Sequence, residues 1–180
     1  GRVLGFVEKP APGTAPTSWI NAGTHVFEPT VLDHIAADRR VSVEREVFPA
    51  MAQAGSLFAW ESDDYWIDTG TPETYLQAQL DFLDGHRGPA HCGLDETAVI
   101  KGTVERSEIG PNCVVETGAV VRNSVLLAGA HITAGARVED AIIGWGATVG
   151  EGATVRNLSV VGHEAHVPAE TVLDGLTLAK

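Results

Sequence analysis

The sequence predicts an α/β region over residues 1–88 followed by a parallel β-helix over residues 89–180. Three observations carry this. The tetrapeptide Gly-Ala-x-[Ile/Val] begins at Gly118, Gly129, Gly135, Gly146 and Gly152, in steps of 11, 6, 11 and 6 residues. Val104, Val121, Val138, Val155 and Val172 recur every 17 residues. Residues 1–88 carry no repeat and alternate short β-rich runs with helix-start signals, the pattern of an α/β layer.

The elements of the first region follow from local chemistry. Val3–Val7 reads as a strand, ended by Lys9-Pro10, and residues 11–18 form a Pro/Gly-rich loop. Trp19–Phe27 reads as a strand with Ala22-Gly23 inside it, where glycine marks a bulge or a close backbone approach. Pro29 opens a short helix to about Ala37. Ser42 is an N-cap followed by acidic residues, Val43, Val47, Met51 and Ala54 fall at helical spacing, and Gly55 ends the helix. Leu57–Trp60 and Tyr65–Ile67 read as strands, and Thr71-Pro72-Glu73 caps a helix running to about Leu83. The strands at 3–7 and 19–27 have no evident partners among these residues. Their apolar faces, Trp19 and Phe27 included, are expected to stand uncovered.

The second region cannot be helical. A six-residue unit with one apolar residue, one small residue and frequent glycine supplies a short strand and a turn. Three such units close one coil, and stacked coils bury an apolar column. Four to five coils are expected between about Glu96 and Leu178. Val104, Val121, Val138, Val155 and Val172 are expected to form one inward column. Val121-Arg122-Asn123, Val138-Glu139-Asp140 and Val155-Arg156-Asn157 line up as equivalent segments.

Composition narrows the function. The formal charge of −12 disfavours a polyanionic nucleic-acid partner but not a nucleotide, which needs only local cations. No apolar run reaches the ~18 residues of a membrane span. Two cysteines, Cys92 and Cys113, fit neither a disulfide framework nor a metal motif, so free thiols in a reducing cytoplasm are expected, with a single disulfide as the alternative.

Four segments could carry chemistry. In Phe6-Val7-Glu8-Lys9-Pro10, Lys9 can bind a phosphate and Glu8 can accept hydrogen bonds from sugar hydroxyls. Taken alone, the same pair is equally a surface ion pair before a turn. Asn21-Ala22-Gly23 offers a donor–acceptor amide beside backbone that a ligand can approach, or simply a strand bulge. Asp68, between Tyr65-Trp66-Ile67 and Thr69-Gly70-Thr71-Pro72-Glu73, could hold a hard divalent cation or stabilise a turn. The seven histidines are scattered. His131 and His166 occupy variable repeat positions, where exposed turn or face residues are the simplest reading.

In combination the segments say more. Glu8-Lys9-Pro10, Asn21-Ala22-Gly23, Ser42-Val43-Glu44-Arg45-Glu46-Val47-Phe48-Pro49 and Tyr65-Trp66-Ile67-Asp68-Thr69-Gly70-Thr71-Pro72 occur in that order. This order resembles the C-terminal half of the sugar-phosphate nucleotidyltransferase family, and the Ser42–Pro49 segment looks most like the mannose-1-phosphate guanylyltransferase group. The repeats resemble those of hexapeptide-repeat proteins, which implies a left-handed parallel β-helix, against the usual right-handed crossover. The resemblance implies that residues 1–88 are the C-terminal part of a Rossmann-like catalytic domain. It implies Lys9 on the sugar-1-phosphate phosphate, Glu8 on sugar hydroxyls, Asn21 and Gly23 lining the sugar pocket, and Asp68 holding catalytic Mg2+. Glu44 receives no role.

The implied reaction joins a sugar 1-phosphate, with mannose 1-phosphate in first place, to a nucleoside triphosphate, with GTP in first place, releasing pyrophosphate. The family's Gly-x-Gly-x-Arg-Leu loop, its base-binding residues and the partner of Asp68 are missing from the 180 residues. By itself the chain is expected to be an inactive fragment. Two other classes compete: a non-catalytic assembly module, since β-helix faces favour homo-oligomers, and a hexapeptide-repeat acyltransferase using a histidine base. No long loop interrupts the repeats to build an acyl-donor site.

Overall fold

A computed structural model describes residues 1–180, which form two compact units, Gly1–Trp66 and Ile67–Lys180. The packing boundary thus precedes the change in sequence grammar at residue 88, because residues 67–88 pack with the repeats.

In the first unit helices form where capping chemistry demands them. Pro29–His34 is a short 3₁₀ turn with proline at its start. The Ser42 hydroxyl accepts the Arg45 N–H at 3.2 Å, as an N-cap should. The first turn, Val43–Val47, is wide: the Phe48 N–H reaches the carbonyl of Val43, five residues back. Pro49 accounts for this, since it has no N–H and its ring crowds the carbonyl of residue 45. Helix α1 follows over Phe48–Ala54 and stops at Gly55, in left-handed conformation at φ 73°. Phe48 and Ala52 of this helix are buried, as is Val47 just before it.

The expected strands of this unit do not assemble into a sheet. Arg2 bridges Phe58 antiparallel, with Val3 N–H on Leu57 O at 2.9 Å and Ala59 N–H on Gly1 O at 2.8 Å. The segments at 19–27 and 65–67 form no ladder. Ladder hydrogen bonds need a neighbour, and β propensity supplies none. Trp19 and Phe27 are exposed, and Val26 and Trp60 are 96% and 94% exposed.

The second unit begins with helix α2, Pro72–Leu83. Thr71 and Thr74 form a reciprocal capping box, each side chain accepting the other's backbone N–H at 3.2–3.3 Å. From Val99 to Leu178 the chain forms a parallel β-solenoid of about five coils, with three five-stranded faces. One face stacks Val99–Ile100, Val114–Val115, His131–Ile132, Thr148–Val149 and His166–Val167. The second runs from Thr103–Glu105 to Val172–Asp174, and the third from Glu108–Ile109 to Thr177–Leu178.

Alternate residues of each strand point inward, so Val115, Ile132, Val149 and Val167 make one dry column and Ile109, Leu126, Ile143 and Val161 another, all at 0–1% exposure. On the third face the outward Val125 and Ile142 are buried too, against Leu76 and Leu80 of α2. That packing fixes α2 to the repeats.

The predicted valine column is right for four members and wrong at the fifth. Val104 is partly buried in the core and Val121, Val138 and Val155 are fully buried, but Val172 is 57% exposed. The register pairs Val155 with Leu173, and Leu173 takes the inward place. The cause is one extra residue at a corner. Arg106, Asn123 and Asp140 each turn that corner with a single left-handed residue, whereas Asn157 and Leu158 are both left-handed, at φ 55° and 60°. The period lengthens from 17 to 18 there. Serines brace the same corner. Ser124 N–H donates to Ser107 Oγ, Ala141 N–H to Ser124 Oγ, and Leu176 N–H to Ser159 Oγ, each at 3.1 Å.

The repeat glycines serve two needs: Gly144 and Gly150 leave no room for a Cβ, which would come within 2.6 Å of backbone, whereas Gly118 serves backbone conformation. Gly118 has φ 77°, and a Cβ there would come no closer than 3.7 Å to another atom. The outermost coils use Asn112, Glu164 and Glu170 in the same left-handed state. The second face carries a charge ladder: Arg122 lies 2.8 Å from Glu105 and 3.8 Å from Glu139, and Arg156 lies 2.8 Å from Asp174.

Candidate functional site

The first unit brings four of the five predicted site residues into two pairs. Lys9 stands in the left-handed region at φ 50°, immediately before Pro10, in a conformation disfavoured at that position. Its side chain is 81% exposed and its ammonium is 3.9 Å from Glu8 Oε1. So long an ion pair leaves the Lys9 charge open to an anion. Asn21 and Gly23 form the second pair: the Gly23 N–H donates to Asn21 Oδ1 at 3.0 Å. Gly23, at φ 79°, needs the freedom of glycine.

A cluster of rings joins the two pairs. Phe48 from the Ser42–Pro49 motif meets Phe6 edge-on at 4.9 Å and His25 at 4.9 Å, with Phe27 at 6.0 Å. Phe6 lies two residues before Glu8, and His25 four residues after Asn21. The three motifs therefore share one aromatic anchor. The indole N–H of Trp66 also donates to the Ala22 carbonyl at 3.2 Å.

The acidic residues of the Ser42–Pro49 motif are committed to local structure. Glu44 accepts the Ser42 hydroxyl at 3.3 Å. Glu46 takes both Nη groups of Arg39, at 3.1 and 2.5 Å, and the Ser42 N–H. The Arg39 hydrogen bond holds the Glu46 carboxyl below its ordinary range. His25 and Arg39 were not singled out from sequence, and Glu46 and Trp66 stood inside quoted motifs without a role of their own, because their partners lie 4–44 residues away.

Asp68 belongs to the second unit. Its Oδ1 accepts the Gly70 N–H at 3.0 Å, an Asx turn leading into α2. A Cβ on Gly70 would sit 3.1 Å from that oxygen, so the carboxylate is fitted to glycine. The turn-stabilising role is present, and Oδ2 remains for another partner. One hard carboxylate oxygen suits the Mg2+ that the resemblance implies, since Mg2+ is commonly bound through one or two carboxylates plus phosphate oxygens. No group of three or more His, Cys, Asp or Glu side chains forms a metal cage. The Asp68 carboxylate is chemically suited to be one such ligand.

In the solenoid, His131 is engaged by a neighbouring carboxylate. The Glu116 carboxylate takes His131 Nε2 at 2.7 Å and the Ala134 N–H at 2.9 Å. That histidine contact keeps Glu116 below the usual carboxylate range. Two open clefts of about 490 and 440 Å³ lie in this unit, neither lined by His131 or His166. Both include Arg106, whose guanidinium is spent on Asp84. Cys92 is exposed and Cys113 buried, both as free thiols.

Comparison with known proteins finds two family matches. Residues 1–85 match the nucleotidyl transferase family, and residues 90–179 match the GMPPB C-terminal domain. The chain belongs to the nucleotidyltransferases that carry this C-terminal solenoid. Curated relatives are mannose-1-phosphate guanylyltransferases. A probable mannose-1-phosphate guanylyltransferase 2 of Arabidopsis thaliana is 37% identical, over 97% of this chain and 51% of the relative. The mannose-1-phosphate guanylyltransferase of Mycobacterium tuberculosis is 39% identical over 69% of this chain and 39% of its own length. The catalytic subunit beta of the Danio rerio enzyme is 34% identical over 97% and 52%. The chain thus spans about half the length, or less, of these relatives.

Proposed function

We propose that this chain is the sugar-1-phosphate-binding and solenoid portion of an enzyme that joins mannose 1-phosphate to GTP. The observation that carries this reading is the aromatic anchor: one ring, Phe48, ties the Glu8-Lys9 segment to the Asn21–Gly23 turn, the two motifs required around a sugar phosphate.

In the reaction an oxygen of the sugar 1-phosphate attacks the α-phosphorus of the nucleotide. A phosphorus–oxygen bond forms there while the α–β bridge breaks, and pyrophosphate leaves. The protein's work in such a transfer is positioning and charge neutralisation. Lys9 supplies a fixed positive charge to the sugar phosphate. Glu8 accepts from sugar hydroxyls, Asn21 contributes its amide, and Gly23 lets the sugar approach the backbone. Asp68 is the residue here that would hold Mg2+, which when bound supplies positive charge to the phosphates.

A homo-oligomer built through solenoid faces and a reducing cytoplasmic setting complete the proposal. The flat sheet faces of the solenoid support the first and two free thiols the second. No helix is long and apolar enough to cross a membrane.

The test is binding. Titrating α-D-mannose 1-phosphate into the chain is expected to give saturable binding that Lys9→Ala weakens about tenfold or more, the effect of one charge-assisted hydrogen bond. Equal binding by Lys9→Ala would overturn the assignment. GTP with Mg2+ is expected to give no specific heat, because no glycine-rich phosphate loop is present among these residues. A micromolar Kd for GTP would refute that part.

A further inference from the structure

We infer that His25 is a positioning residue which locks the Asn21 amide so that its NH2 group is presented to a ligand hydroxyl. Asn21 Oδ1 lies 3.0 Å from the backbone N–H of Gly23 and 3.0 Å from His25 Nε2. A backbone N–H can only donate, so the Asn21 atom facing it must be the carbonyl oxygen. That oxygen can only accept, so His25 Nε2 must carry a proton. The two contacts fix both the Asn21 rotamer and the sense of its amide. Both protons of Nδ2 are left without a protein acceptor.

The imidazole is itself held on two sides. It stacks on Phe27 at 5.7 Å with an interplanar angle of 19° and tilts against Phe48 at 4.9 Å. Phe48 is 2% exposed and anchored in the core of this unit. A chain of contacts therefore runs from buried ring to imidazole to amide oxygen, and ends at two outward donors on the exposed Asn21. An unheld exposed asparagine would sample both amide orientations and several rotamers. Binding a hydroxyl would then have to overcome that freedom.

The ligand class follows from the proposed function, on which this inference rests: a hexose 1-phosphate whose hydroxyl oxygen accepts from Nδ2. His25 acts through Asn21 and needs no contact with the sugar.

The experiment is side-chain NMR on the ¹⁵N-labelled 180-residue chain with α-D-mannose 1-phosphate as the probe. In the wild type the two Asn21 Nδ2 protons should be well dispersed, His25 Nε2 should be protonated, and the Asn21 pair should shift as the sugar phosphate is added. His25→Phe keeps a ring against Phe27 and Phe48 but removes the donor. It is expected to collapse the Asn21 pair toward the free-amide position and weaken mannose 1-phosphate about tenfold, as loss of one oriented hydrogen bond does. His25→Gln returns an N–H near the Nε2 position and should restore most of both effects. An Asn21 pair unchanged in His25→Phe overturns the lock. Equal affinity in wild type and His25→Phe overturns its role in binding. A wild type that ignores mannose 1-phosphate, with an Asn21 pair that still responds to His25→Phe, overturns the sugar-site reading and leaves the lock measured.

Discussion

Trp66 donates its indole N–H to the carbonyl of Ala22 at 3.2 Å, across 44 residues of sequence. The acceptor is the middle residue of the Asn21–Gly23 turn, so Trp66 holds the backbone of that turn while His25 holds its side chain. Trp66→Phe keeps the ring and deletes the bond. Because Trp66 is 46% exposed, the loss should be at the low end for a hydrogen bond, about 0.5–1 kcal/mol. Hydrogen exchange at Gly23 should quicken several-fold and mannose 1-phosphate should bind a few-fold more weakly. Unchanged exchange at Gly23 would remove Trp66 from this role.

The shift of register at Asn157-Leu158 separates two residues that the 17-residue period makes look alike. Val138→Ala opens a cavity in a fully buried column and should cost about 1.5–3 kcal/mol in urea unfolding. Val172→Ala removes an exposed side chain and should fall within about 0.5 kcal/mol. Leu173→Ala should cost about 2–3 kcal/mol, less than a central leucine because it lies in the last coil. Deleting Leu158 should return the final coil to the shorter period and turn Val172 inward, which would exchange the sensitivities of Val172 and Leu173.

The acid limb of stability should depend on Arg106. Its guanidinium grips Asp84, the residue that ends α2, and this hydrogen bond is the main cause that lowers the Asp84 carboxyl below its ordinary value. A carboxyl lowered in the folded state binds its proton less readily there than when unfolded. Its contribution is present above the unfolded value of about 3.9 and is lost as pH falls below it. Arg106→Ala should therefore be less stable at neutral pH and show a flatter loss between pH 5 and pH 2. Parallel curves for the two proteins would count against the clamp.

The two thiols should react on different clocks. Cys92 is exposed and should be modified within the mixing time of a maleimide. Cys113 is fully buried, its Sγ lies 3.1 Å from the Leu127 carbonyl, and burial pushes its thiol pKa up. It should react only on unfolding, in step with loss of far-ultraviolet circular dichroism. Early double modification would show that the first coils open locally.

What could be read in advance was local. Ser42, Gly55 and Thr71-Pro72 announced helix ends because a cap is a relation between residues three or four apart. The period announced the solenoid because every coil repeats the same inward valine or isoleucine. What could not be read was relational. The strands at 19–27 and 65–67 have the right composition, but a ladder depends on neighbours that composition does not name. Leu158 slipped past the periodicity because Val155-Arg156-Asn157 still aligns with its predecessors, and the extra residue hides in a corner that tolerates left-handed backbone. Glu8, Lys9, Asn21, Gly23 and Asp68 stood out by motif. Of the residues that orient Asn21 and Ala22, His25 stood outside every motif and Trp66 stood inside one without a role, since each acts through one bond to a partner of unremarkable type.

The charge ladder on the second solenoid face has an odd number of rungs, and so it closes on like signs. Glu105, Arg122, Glu139, Arg156 and Asp174 alternate, beginning and ending in acid. Within one chain every neighbour is opposite. Two chains placed end to end would bring Asp174 of one beside Glu105 of the next, where carboxylates repel. An open-ended stack of parallel strands is otherwise a template for unlimited growth. Asp174→Lys would make the two ends complementary, and its light scattering should rise with concentration at low salt where the wild type's does not. The same side chains that pair neighbouring coils thus set the sign of both ends of this ladder.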